Sequence, residues 1–151
     1  MYVVADASVF IWGKRPEGEL ITVPAVEAEL KDIRTRSRLF LFEVRVESPS
    51  ALALKAARKA AAETGDLRVL SAADLDVLAK ALEYRAVLAT DDYALQNVAL
   101  HLGLEIEPIG QPRIKRELKH VQRCQGCGHR FEGEACPDCG TPARKKKRCT
   151  R

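Results

Sequence analysis

Four cysteines near the C-terminus, Cys124-x-x-Cys127 and Cys136-x-x-Cys139, constrain what this 151-residue chain can fold into more than any other feature. Eight residues separate the two pairs, a spacing at which two tight turns present four sulfurs to a single ion. Zinc favours thiolates in tetrahedral geometry, so the pattern predicts one structural Zn²⁺ held by Cys124, Cys127, Cys136 and Cys139 in a small ribbon over residues 121–142. Gly126, Gly128 and Gly140 fall in or just after these turns, where a residue without a Cβ is favoured. Disulfide pairing would need an oxidising compartment, yet Met1 leads directly into an apolar run and not into the basic start of a secretory signal. No apolar stretch approaches the roughly 20 residues that cross a bilayer. The expected setting is cytoplasmic, with no membrane partner.

Charge divides the chain at the same place as the cysteines. Residues 1–110 carry 13 Lys and Arg against 17 Asp and Glu, a balance of −4, whereas residues 111–151 carry 12 against 4, a balance of +8. A basic end beside an acidic body is the asymmetry expected of a nucleic-acid binder. The predicted organisation is a body over 1–110, a basic linker over 111–120 marked by Gly110-Gln-Pro112, the ribbon, and a basic tail over 143–151 too charged to fold alone.

Within the body, Tyr2-Val-Val-Ala-Asp6 reads as a buried strand ended by a carboxylate. Leu20-Ile-Thr-Val23 predicts a second strand, and Pro24 opens a helix carrying Glu29 in its second turn. Residues 39–46 begin fully apolar and then alternate, which predicts a third strand. The Ala- and Leu-rich stretch 50–64 predicts a helix stopped by Gly65, and Ser71-Ala-Ala-Asp74 has capping-box spacing ahead of another. Ala86-Val-Leu-Ala-Thr90 is a fourth buried strand, ended by Asp91-Asp92. A helix over 93–102 closed by Gly103 follows, then an edge strand over 104–109. Strands alternating with helices predict an α/β fold with a parallel sheet flanked by helices.

In such sheets ligands bind beyond the carboxyl ends of the strands. Asp6 and the pair Asp91-Asp92 end strands, Asp74 begins a helix, and Glu29 can reach the same rim. Carboxylates converging without an intervening Lys or Arg repel one another unless divalent cations sit among them. Mg²⁺ or Mn²⁺ so held can activate water and stabilise the leaving oxygen of a phosphodiester. No Cys or His of the body is placed to act as a nucleophile instead.

These residues resemble a known family. Asp6-Ala-Ser8, Pro24-x-x-x-x-Glu29-Leu30, Asp74 and Thr90-Asp91-Asp92 are similar to the acidic signature of PIN-domain ribonucleases. The stretches Ala5-Asp-Ala7, Glu29-Leu-Lys-Asp32, Leu70-Ser-Ala-Ala-Asp74 and Thr90-Asp-Asp-Tyr-Ala-Leu-Gln-Asn97, followed by the four-cysteine ribbon, resemble the Nin-one-binding group of that family, the site-D ribosomal RNA endonucleases. The resemblance implies a PIN-like body and metal-dependent hydrolysis of precursor small-subunit ribosomal RNA at its 3′ end, within a pre-ribosomal particle. It implies Asp6, Glu29, Asp74 and Asp92 as Mg²⁺ or Mn²⁺ ligands. The Thr-x-Asp pattern favours Asp92, and the adjacent Asp91 keeps the choice open. Ser8 is placed to hydrogen-bond a ligating carboxylate.

The basic residues Arg113, Lys115, Arg116, Lys119, Arg123, Arg144, Lys145, Lys146, Lys147 and Arg148 are expected to contact RNA phosphates without reading bases. Two other functions are compatible with the same residues: a non-catalytic RNA-binding assembly factor, and a toxin-type PIN ribonuclease. Zinc ribbons also dock proteins, so a protein partner through the ribbon is a further expectation. Phe131 is expected in the ribbon's miniature core, and Cys149 is the odd fifth cysteine.

Overall fold

The computed structural model describes residues 1–118 and 121–143; of the residues singled out above, Lys119, Arg144, Lys145, Lys146, Lys147, Arg148 and Cys149 lie outside them. The elements run β1 (Tyr2–Ala5), α1 (Ala7–Trp12), β2 (Glu19–Thr22), α2 (Pro24–Glu29), α3 (Ile33–Leu41), β3 (Arg45–Val46), α4 (Ala51–Thr64), α5 (Ala72–Tyr84), β4 (Val87–Ala89), α6 (Tyr93–His101), β5 (Ile106–Glu107), β6 (Val121–Arg123) and β7 (Arg130–Glu132). The first five strands form one parallel sheet in the order β3-β2-β1-β4-β5, flanked by helices, as the alternating pattern predicts. β6 and β7 form a separate antiparallel pair.

Burial explains the order. Val3, Val4, Ala5, Leu88 and Ala89 are fully buried, which suits the central strands of a covered parallel sheet. Ile106 is buried at the β5 edge, where Pro108 ends the pairing. α4 presents mostly alanine to α5, with Ala53, Ala57, Ala60 and Ala61 buried, so the two helices approach closely. Ser50 caps α4 by accepting the Ala53 N–H at 3.2 Å, and Gly65 ends it in the left-handed conformation (φ 80°). Among the described residues no helix is long and apolar enough to cross a membrane.

One strand expectation is corrected. Residues 39–41 are the last turn of α3, and β3 is reduced to Arg45–Val46. The helix is set by Asp32, whose carboxylate accepts the Thr35 N–H at 3.0 Å, an N-cap that local chemistry makes competitive with the apolar run behind it. That run is not a buried sheet face: Phe40 is 87 % exposed, and no residue of α3 is fully buried. α1 has no counterpart among the predicted elements. The basic segment 113–123 contains no helix among its described residues and instead contributes β6.

Candidate functional site

The strand order creates the crevice. From β1 the chain adds β2 and then β3 on one side, and later returns to lay β4 and β5 on the other. The direction reverses between β1 and β4, and at such a switch point the loops beyond the strands diverge and leave a cleft. Ala5 pairs with Ala89, and the Asp6 N–H donates to the Ala89 carbonyl at 3.1 Å, so Asp6 and Thr90 leave the sheet side by side at the floor of that cleft.

Asp6 is buried, and two hydroxyls hold its carboxylate: Thr90 Oγ1 donates to Oδ2 at 2.8 Å and Ser8 Oγ at 3.4 Å. Burial pushes its pKa up from 3.8 to about 6. The Thr90 hydroxyl and the Ala7 N–H oppose that rise, and the charges of Asp74 and Asp92 add to it. The charges acting most strongly on Asp6 are therefore of its own sign, and none of these leading influences is a cation. A buried oxygen donor crowded by two further carboxylates suits a hard divalent cation such as Mg²⁺ or Mn²⁺.

Two of those neighbours are anchored by helix starts. Asp74 closes the capping box of α5, its Oδ2 accepting the Ser71 N–H at 2.8 Å while Ser71 Oγ accepts the Asp74 N–H at 3.1 Å. Asp92 is the N-cap of α6, its Oδ1 accepting from Ala94 at 2.8 Å and Leu95 at 3.1 Å. The Thr90 hydroxyl accepts the Asp92 N–H at 3.0 Å and so ties Asp92 to the residue that orients Asp6. Glu29 is the exposed last residue of α2, on a helix packed against α5; it is not among the leading influences on Asp6. Among the described residues no three carboxylates bring ligand atoms within 4.8 Å of one another.

Asp91 sits differently from Asp92. Its two oxygens accept the backbone N–H groups of Ile109 (2.8 Å), Gly110 (3.0 Å) and Gln111 (3.2 Å), which staples the chain leaving β5 to the end of β4. Burial works to raise the Asp91 pKa, but these donors, joined by the Trp12 side chain, outweigh it and hold the carboxyl below its usual range.

Three side chains to which the sequence assigned no part organise this end of the fold. Thr90 bridges Asp6 and Asp92. Gln96 donates to the Thr90 carbonyl at 3.0 Å and accepts the Ile114 N–H at 2.9 Å. Asn97 donates to the Leu118 carbonyl at 2.8 Å and accepts the Leu118 N–H at 2.6 Å. The linker is thus laid along α6, with Arg113, Lys115 and Arg116 exposed on it. The only available signal was polarity: Gln96 and Asn97 interrupt the apolar face of α6, and both are buried.

In the ribbon the four cysteines gather as their spacing requires, with all four sulfurs within 4.8 Å of one another. Cys124 Sγ lies 3.4 Å from Cys139 Sγ and Cys127 Sγ 3.6 Å from Cys136 Sγ. These separations are far beyond a disulfide and near the roughly 3.8 Å expected between ligands about 2.3 Å from one tetrahedral metal. The two turns repeat each other: Gly128 N–H donates to the Cys124 carbonyl at 3.1 Å and Gly140 N–H to the Cys136 carbonyl at 2.9 Å. Gly126 has a separate reason, since a Cβ there would lie 2.7 Å from Thr141 Oγ1. Backbone N–H groups of Cys127 and Gly126 lower the Cys124 pKa to about 6, and the Thr141 hydroxyl and N–H lower that of Cys139, whereas Cys127 is pushed up despite the His129 N–H, because the neighbouring Cys136 thiol and burial oppose its charge; four thiolates this close repel one another unless a cation sits among them. Phe131 is buried with Cys124, Cys136 and Ala143, as expected of a miniature core. His129 pairs with Asp138 at 3.0 Å. Arg123 is exposed at the end of β6.

The chain is similar to known proteins along most of its length. Residues 3–84 match the family model described as the PIN domain of ribonuclease. The chain is 41 % identical over 145 residues to the endoribonuclease Nob1 of Archaeoglobus fulgidus, covering 93 % of this chain and 87 % of the relative. It is 43 % identical over 150 residues to the endoribonuclease Nob1 of Pyrococcus abyssi, covering 94 % and 91 %. It is also 41 % identical over 128 residues to the ribonuclease VapC1 of Thermoplasma acidophilum, covering 82 % and 66 %.

Proposed function

This chain belongs to the PIN-domain ribonuclease family and is an endoribonuclease, and from that premise we propose that it cuts precursor small-subunit ribosomal RNA to form its mature 3′ end. The observation that carries the reading is the buried Asp6 carboxylate at the switch point, acted on by Asp74 and Asp92 and held by Thr90. Asp6, Asp74 and Asp92 hold the divalent cation, with Glu29 reaching the rim from α2. Mg²⁺ or Mn²⁺ bound there supplies Lewis-acid stabilisation of the phosphodiester. Thr90 and Ser8 orient Asp6, and Asp92 keeps one oxygen free of the α6 cap. Asp91 is a positioning residue, because its oxygens are committed to the loop at 109–111.

The ribbon, loaded with one Zn²⁺, and the basic side chains of the linker grip the phosphates of the same RNA. Coverage of about nine-tenths of two relatives named endoribonuclease Nob1, together with this chain's own four-cysteine cluster, supports ribosomal RNA over a general messenger as substrate. The test is cleavage of RNA spanning the mature 3′ end of small-subunit ribosomal RNA, alone and within pre-ribosomal particles, beside an unrelated RNA of equal length. Cutting at one site in the first and none in the second is expected. Equal, scattered cutting of both would replace this reading with that of a general ribonuclease.

A further inference from the structure

Trp12, the one tryptophan of the chain, ends α1 and is 56 % exposed. A Cβ built on Gly110 would come within 2.7, 2.9 and 3.1 Å of the adjacent ring atoms Cε2, Cζ2 and Cδ2, so Gly110 backs one face of the indole. Gly110 is itself fixed by its N–H to the Asp91 carboxylate at 3.0 Å, and the Trp12 side chain lies close enough to Asp91 to help hold its carboxyl below the usual range. Two residues further on, Lys14 Nζ donates to the Ile109 carbonyl at 3.1 Å. Asp91 and Lys14 thus fix the loop against which the ring lies. The indole is backed on one face by a fixed loop while the residue stays more than half open to water.

Its position gives that order a use. On one side stand Asp91 and, one residue on, Asp92 at the cleft. On the other, Gly110 leads through Gln111 to a shallow groove lined by Pro112, Arg113, Ile114 and Lys115. Trp12 is thus placed, through Gly110, between the exposed linker cations and the Asp91-Asp92 pair. A base has a π-face whatever its sequence, and stacking on an aromatic ring is the recurrent way proteins hold unpaired nucleotides.

We infer that Trp12 is a stacking platform for a base of single-stranded RNA next to the scissile phosphate, an inference that rests on the ribonuclease reading above. Gly110 and Asp91 are its positioning residues. Paired bases cannot offer a free face, so the platform selects unpaired substrate.

Because the chain has one tryptophan, its emission reports this stacking directly. Zinc-loaded wild type without Mg²⁺ or Mn²⁺ is titrated with a labelled single-stranded RNA and with the same sequence fully paired, reading RNA anisotropy and Trp12 emission together. Single strand is expected to quench Trp12 with the same midpoint as the anisotropy, and duplex at equal occupancy to leave it unchanged. Trp12→Ala is expected to weaken single-strand binding about 5- to 150-fold, the range for removing one stacked base, with Trp12→Tyr and Trp12→Phe restoring most of it. In cleavage with Mn²⁺ the loss falls on KM more than on kcat. Gly110→Ala, which forces the ring to move, is expected to shift Trp12 emission and weaken binding with the tryptophan still present. Binding by anisotropy with no change in Trp12 emission, or Trp12→Ala binding as wild type does, overturns the inference and leaves the nuclease reading intact. A protein that neither binds nor cuts RNA removes both.

Discussion

Asp6→Asn should make the protein more stable while abolishing its activity. Burial raises the Asp6 pKa from 3.8 to about 6, which corresponds to about 3 kcal/mol of disfavoured charge at neutral pH. The sign follows from proton binding. Between these two values the native state holds a proton that the unfolded chain has released, so stability falls as pH rises through that window and stays lowered above it. Asparagine has no charge to bury. Thr90 and Ser8 both donate to one oxygen of the Asp6 carboxylate, and a neutral amide oxygen in its place accepts more weakly, so the substitution also loses about 1 kcal/mol of hydrogen bonding. At pH 7.5, without Mg²⁺ or Mn²⁺, the variant should therefore exceed wild type by about 2 kcal/mol. Below about pH 4 it should fall slightly behind. Urea unfolding of both full-length, zinc-loaded proteins from pH 4 to 8, followed by Trp12 emission, measures the difference, and any contribution of the ribbon common to both cancels. Added Mn²⁺ should raise wild type and not the variant, which narrows the gap by mass action. A gap that does not change between pH 4 and 8, or a variant less stable than wild type at pH 7.5, would refute the idea that Asp6 is a charge strained by burial and by its like neighbours.

The remaining expectations separate parts of the same account. Asp92→Asn should abolish cutting at unchanged RNA affinity, whereas Asp91→Asn should retain part of the activity and destabilise the protein by about 1–3 kcal/mol, because the charged acceptor of three backbone N–H groups is weakened; kinetics and urea unfolding of the pair decide this. One zinc per chain is expected by elemental analysis, and its removal by a chelator should dissolve the ribbon's amide signals while those of the body persist, since the buried cluster around Cys124 and Phe131 is separate from the body's core. Deleting residues 111–151 should weaken binding to bare RNA and flatten its salt dependence by about 0.7 in log–log slope for each phosphate the truncated protein no longer neutralises; unchanged affinity would assign the ribbon to protein docking.

What the sequence made legible depended on whether the determinant was local. The buried strands ending in Asp6 and Thr90, the α4 stop at Gly65 and the Ser71–Asp74 box are encoded within a few residues, and the structure has them. The cysteine spacing specified its cluster for the same reason, because each turn is a complete unit. Residues 39–42 misled because hydrophobicity stood in for burial: Phe40 and Leu41 are apolar and exposed, and the signal that decides the helix lies upstream at Asp32. The difference in setting between Asp91 and Asp92 lay beyond the sequence, whose Thr-x-Asp pattern favoured Asp92 as a ligand and left the choice open. It depends on where residues 109–111 return in space, almost twenty residues along the chain, and on the side chain of Trp12. Gln96 and Asn97 lie in a stretch that resembles the family, but their work of fastening the linker is a long-range interaction that no local pattern carries.

The most direct test of the central claim, that the carboxylate crevice between β1 and β4 is the site of RNA cutting, is a paired measurement on one RNA spanning the mature 3′ end of small-subunit ribosomal RNA. Wild type and Asp6→Asn are compared for cleavage with Mn²⁺ and for binding without it. The account predicts cation-dependent cutting at one site by wild type, none by the variant, and equal affinity. Cutting that persists in Asp6→Asn, or a loss of binding as large as the loss of cutting, would contradict it.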